Sequence, residues 1–185
     1  MPTDDTLSEN RLFQKPAMFK SVLCASALFI AGVVPAFAHI TLETQQAPVG
    51  STYKAVLRVP HGCEGKATIA VRVRIPEGMI AVKPMPKPGW TLKAMKGSYA
   101  KPYELWGEKV TEGVQEVDWS GGSLPDEFYD EFVFRGSFAG DLPAGSTFWF
   151  PTVQECANGE EAWIDTSGDD DAEMPAPGVT LIEGH

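Results

Sequence analysis

His39 is the position from which the chemistry of this chain is best read. It follows Ala36-Phe37-Ala38, the small-x-small pattern after which signal peptidase cuts. Cleavage there makes His39 the first residue, with a free α-amine beside its imidazole. The amine and ring Nδ1 can then grip one metal ion in an unstrained chelate ring. An α-amine has a reference pKa of about 7.7–8.0, so losing its proton to a metal costs little near neutral pH. Two nitrogens in one plane, completed by carboxylate or water, suit Cu(II).

The other candidate donors are weaker. Asp130-Glu131-Phe132-Val133-Phe134-Arg135 reads as a strand with both phenylalanines on one face and Glu131, Val133 and Arg135 on the other. Glu131 is a carboxylate candidate there, although Glu131 with Arg135 also reads as an ordinary surface ion pair. Glu43 shares a strand face with His39 but lies about 13 Å along it, too far for the same ion. His61, in Pro60-His61-Gly62-Cys63, reads as a turn histidine more readily than as a second ligand. Met79, Met85 and Met95 are unevenly spaced and read as packing rather than thioether ligands.

The elements that must position these residues are strands. Tyr53, Ala55, Leu57 and Val59 alternate with polar neighbours, and so do Ile69, Val71, Val73 and Ile75, with Arg72 and Arg74 facing out. Further strands are expected over 39–44, 79–82, 90–95, 114–119, 129–138, 147–150, 162–164 and 179–182. Turns at Pro76-Glu77-Gly78, Pro86-Lys87-Pro88-Gly89, Gly121-Gly122 and Asn158-Gly159 separate them. No helical period is found after residue 38. Trp90, Trp106, Trp119 and Trp149 read as core or edge packing. Ser167 to Pro177, with Asp169-Asp170-Asp171, reads as an acidic loop or frayed tail. The expected fold is all-β, an immunoglobulin-like sandwich of about eight to ten antiparallel strands.

Residues 1–38 are expected to be an N-terminal extension and a cleaved signal peptide, with Met1 or Met18 as the start and an apolar run from Val22 to Phe37. Residues 39–185 are then one domain without a stable membrane anchor. The segment carries three cations and three anions, so the net charge of −10 survives its removal. That charge argues against nucleic acid and against anionic lipid. Two cysteines remain, Cys63 and Cys156. In an exported domain they are most simply one disulfide, and a thiolate copper site is the alternative. No nucleophile elbow, phosphate loop or His-Glu-x-x-His pattern is present, and no enzymatic activity is expected.

Several segments, in order, are similar to those of the YcnI-like family of exported copper-binding domains. They are His39-Ile40-Thr41-Leu42, Arg58-Val59-Pro60-His61-Gly62-Cys63, Pro86-Lys87-Pro88-Gly89-Trp90, Val117-Asp118-Trp119-Ser120-Gly121-Gly122, Phe128-Tyr129-Asp130-Glu131-Phe132, and Gln154-Glu155-Cys156 followed by Trp163. The resemblance implies a periplasmic Cu(II)-binding protein of copper homeostasis with an immunoglobulin-like sandwich. It also implies a single-histidine brace: the N-terminal histidine, a glutamate and a nearby tryptophan. In this chain these become His39, Glu131 and Trp163, with Glu104 or Glu108 as the alternative glutamates. The implied partners are the copper ion and other periplasmic or membrane copper-transport proteins. A copper oxygenase would normally use a second histidine, and only His61 is available. The competing reading is a metal-free exported structural or protein-interaction domain.

Overall fold

The structure is a computed structural model and describes residues 39–184; the expected signal segment and His185 lie outside the described residues. Among the described residues twelve strands follow one another without a helix. They are β1 (Thr41–Leu42), β2 (Gln46–Pro48), β3 (Thr52–Val59), β4 (Thr68–Arg74), β5 (Met79–Pro84) and β6 (Thr91–Leu105). Then come β7 (Glu108–Leu124), β8 (Asp130–Phe138), β9 (Thr147–Trp149), β10 (Thr152–Cys156), β11 (Gly159–Trp163) and β12 (Gly178–Ile182). One sheet has the order β1-β3-β8-β5, a second β11-β10-β4-β7-β6, and a small third β2-β12-β9. The expected all-β immunoglobulin-like class is what the chain adopts.

The alternation in β3 works as its sequence demands. Ala55, Leu57 and Val59 are fully buried while Lys54 faces water. The β8 partner does the same: Leu57 lies opposite Phe132 and Ala55 opposite Phe134, both rings buried. Across the sandwich Trp119 meets Phe132 at 5.6 Å, Trp90 meets Phe132 edge-on at 4.9 Å, and Phe134 meets Phe150 at 5.4 Å. Edge-to-face pairs of this kind add about 0.5–1.5 kcal/mol each beyond the area they bury. The Trp119 indole N–H donates to the Met85 carbonyl at 3.0 Å, so the largest core ring keeps its polar atom satisfied.

Four expectations are corrected. The strands number twelve among the described residues, because β2 is only three residues long and the buried face of β10 carries the polar Thr152 and Gln154, so no apolar alternation marks it. One pairing, β12 with β2, is parallel. Trp106 does not pack in the core or at an edge: β6 and β7 run on as a long hairpin, and Trp106 sits near its tip, exposed, with positive φ. Ile69 faces solvent, because a register shift between Thr68 and Ala70 turns Thr68 and Ala70 inward instead.

Cys63 and Cys156 form a disulfide with a Cα–Cα distance of 5.9 Å and a sequence separation of 93. It ties the turn after β3 to the end of β10. The thiolate copper alternative is thereby excluded in this state.

Candidate functional site

Ile40 and Leu42 are buried side chains that anchor the entry of the chain, and β1 pairs with β3 so that Thr41 faces Arg58. His39, just upstream, turns its ring toward Trp163: the ring centroids lie 5.4 Å apart with planes inclined at 56°. Trp163 ends β11, on the edge of the other sheet, and is buried. The pair therefore bridges the two main sheets, and its halves are 124 positions apart in sequence, by subtraction of their numbers.

Gln154 holds the tryptophan. It is fully buried on β10. Its Oε1 accepts from the Trp163 indole N–H at 3.3 Å, and its Nε2 donates to the His61 carbonyl and the Thr68 hydroxyl, each at 2.8 Å. A buried amide with these partners costs little and fixes the ring it holds. In the sequence Gln154 stands only as the first residue of the Gln154-Glu155-Cys156 segment, which does not mark it as the partner of Trp163.

A cavity of about 430 Å³ opens beside His39, lined also by Thr41, Gln45, Trp149, Asp170 and Thr180. Asp170 comes from the acidic segment, which is no frayed tail. Asp165 N–H donates to the Met174 carbonyl at 3.0 Å, Ala176 N–H donates to the Asp165 carbonyl at 2.7 Å, and Asp171 N–H donates to the Asp169 carboxylate at 3.0 Å. These turns fold the loop back so that Asp170 and Pro175 reach the cavity wall. Trp149 packs against Gly178, where an added Cβ would meet the ring at 2.6 Å.

Glu131 lies elsewhere on the first sheet. The register Thr41–Arg58–Glu131 runs across β1, β3 and β8, which puts Glu131 two strands from β1 and, on ideal spacings, about 12 Å from His39. Its carboxylate accepts a short hydrogen bond from the Tyr129 hydroxyl rather than pairing with Arg135. Burial, then that bond and the charge of Glu131, push the Tyr129 hydroxyl up to about 12, against the pull of Arg58. Glu104 and Glu108 sit at the tip of the β6–β7 hairpin, and β6 is the sheet edge opposite β11. His61 is a turn residue. Its ring Nδ1 makes a short contact with the Gly62 carbonyl and lies 4.0 Å from Asp126.

One acidic residue near Trp163 escaped the sequence reading. Glu161 is two residues upstream on the same side of β11, and its Oε2 is buried without a hydrogen-bond partner. Burial chiefly raises its pKa, His61 opposes the shift, and Glu64 and Asp126 add to it. Among the described residues no three His, Cys, Asp or Glu side chains converge as a metal cluster. A brace does not require one, since an α-amine is not a side chain.

Together these features define an immunoglobulin-like, disulfide-tied β-sandwich with a histidine–tryptophan pair at its sheet junction. The family described as "Domain of unknown function (DUF1775)" matches residues 39–181, and the chain belongs to it. An uncharacterized protein from Nocardia farcinica, whose crystal structure reveals an immunoglobulin-like fold, is similar at 26% identity and a TM-score of 0.58. The match covers 78% of this chain and 99% of that one. No curated protein matches the chain. Among the described residues no helix is long and apolar enough to cross a membrane.

Proposed function

We propose that this protein is a YcnI-like, periplasmic Cu(II)-binding protein that carries copper as cargo at His39. The signal segment is removed after Ala38, and the His39 α-amine and Nδ1 take the ion. The observation that carries this reading is the His39–Trp163 pair: a ring donor at the expected start of the mature chain, against a buried indole at 5.4 Å. The indole shields one side of the ion from water and performs no chemistry itself.

The donor chemistry fits Cu(II), which takes two nitrogens with oxygen donors around them. Asp170, on the wall of the same cavity, is the carboxylate best placed to complete the set. Glu131, engaged by Tyr129 and two strands away, is the second choice. The disulfide suits an oxidising compartment, and the acidic surface suits transient pairing with copper-transport proteins of that compartment.

The test is a Cu(II) titration with electron paramagnetic resonance on two forms, one beginning at His39 and one with a single residue added before it. The extra residue removes the free α-amine and leaves the sandwich alone. Tight binding with a nitrogen-rich spectrum only in the first form is the expected result. Equal behaviour of the two forms rejects His39 as the anchor and favours the metal-free interaction domain.

A further inference from the structure

The outer face of the first sheet carries an arrangement unrelated to the metal reading. Lys54 on β3 lies directly opposite Arg135 on β8, and Arg135 lies directly opposite Lys83 on β5. Three cations thus stand in one row across three adjacent strands, all exposed. Like charges facing each other across strands destabilise a sheet. Of the nine other cations among the described residues, three find acids: Arg72 pairs with Glu155, Lys87 with Asp130 and Lys101 with Asp141. Among the described residues no ion pair reaches Lys54, Lys83 or Arg135.

Beside the row is a cavity of about 350 Å³, walled by the three cations and floored by Pro84, Met85 and Val133. Met85 is half exposed, and its N–H donates to the Val133 carbonyl at 2.8 Å, so the next row across the sheet is apolar. The volume falls in the range of ligand sites. Fixed repulsion beside an apolar floor, in a chain of net charge −10, is a cost that a bound anion would relieve.

We propose that this face binds an extended acidic peptide segment of a partner protein, one that alternates carboxylate and apolar side chains. Adjacent strands are about 4.8 Å apart, so the row spans about 10 Å, too wide for one small carboxylate. Successive same-face side chains of an extended peptide are about 7 Å apart, which sets two carboxylates against three cations. A peptide lying between the cation row and the Met85–Val133 row turns its carboxylates to the first and its alternate side chains, which leave the backbone on the opposite side, to the second. An anionic bilayer fits less well, because lipid recognition uses about four to eight clustered cations and the rest of this chain repels it.

The test uses a fluorescein-labelled, end-capped peptide of alternating glutamate and leucine, followed by anisotropy with the purified protein at low and at physiological salt. Lysine–leucine peptide and phosphatidylglycerol vesicles serve as comparison probes. The glutamate peptide is expected to bind, more weakly as salt rises, and Arg135→Gln is expected to weaken it about tenfold or more. Arg135→Gln is also expected to melt no lower than the parent, since it relieves the row. Should that variant melt lower, Lys83→Gln gives the same reading from the other end of the row. The proposal is overturned if the glutamate peptide fails to bind at low salt, if the lysine peptide binds as well, or if the folded variants bind it undiminished. Uptake by vesicles without peptide binding overturns it in favour of a membrane. None of these outcomes depends on copper.

Discussion

The imidazole of His39 and the indole of Trp163 stand 5.4 Å apart although they open and nearly close the described domain. The contact joins β11, at the edge of one sheet, to the entry of β1 at the edge of the other. An ion held by His39 would therefore sit beside the buried Trp163, with Trp149 on the wall of the same cavity. Cu(II) is expected to quench intrinsic fluorescence on binding, and Trp163→Phe to lose part of that quench while still binding the ion. Unchanged quenching in the variant would separate the metal from this ring.

Trp163→Phe also leaves the Gln154 Oε1 without its donor. A buried acceptor stripped of its partner costs about 1–3 kcal/mol. Thermal or urea unfolding should show that loss, and the double variant with Gln154→Met, which also takes the donor from the His61 carbonyl and the Thr68 hydroxyl, should lose less than the sum of the two single changes. Strict additivity of the two changes would mean that the hydrogen bond contributes nothing.

Asp170 and Glu131 make opposite predictions. Asp170→Asn is expected to weaken Cu(II) binding and alter the oxygen donors seen by electron paramagnetic resonance. Glu131→Gln is expected to leave the spectrum unchanged and to lower the Tyr129 pKa from about 12. The reverse pattern would return the carboxylate to Glu131.

Glu161 sets a pH dependence. Its carboxyl is raised above the ordinary value of 4.5, so in the window above 4.5 the folded state holds more protons than the unfolded state. Stability therefore falls as pH rises through that window and stays lowered above it. Glu161→Gln is expected to melt higher than the parent at neutral pH, with the gap closing below 4.5. A constant gap at all pH values would assign the effect to packing instead of charge.

The Cys63–Cys156 bond closes a long loop. The chain-entropy account puts its contribution at about 4–5 kcal/mol, an amount comparable to the whole stability of a marginal domain. Replacing both cysteines with alanine is expected to lower the melting temperature strongly, measured by calorimetry under otherwise equal conditions. A small change would mean that the β10–β4 pairing alone holds that end.

Several features follow from the sequence by itself, because they depend on local rules. Alternation with period two marked β3 and the inner faces of β8, since side chains of a half-buried strand must sort by polarity every second residue. Two cysteines in a chain read as exported pointed to one bond, and the expected cut after Ala36-Phe37-Ala38 singled out His39. Other features were decided only by tertiary structure, because they depend on which strands become neighbours. The bulge that turns Ile69 outward is set by the β4–β7 register, and no periodicity within β4 reveals it. The same holds for the Gln154 clasp on Trp163, the folding of Asp170 to the His39 cavity, and the separation of Glu131 from His39. Likewise Lys54, Lys83 and Arg135 are scattered single charges along the chain. They become one row only because antiparallel pairing brings three strands into register.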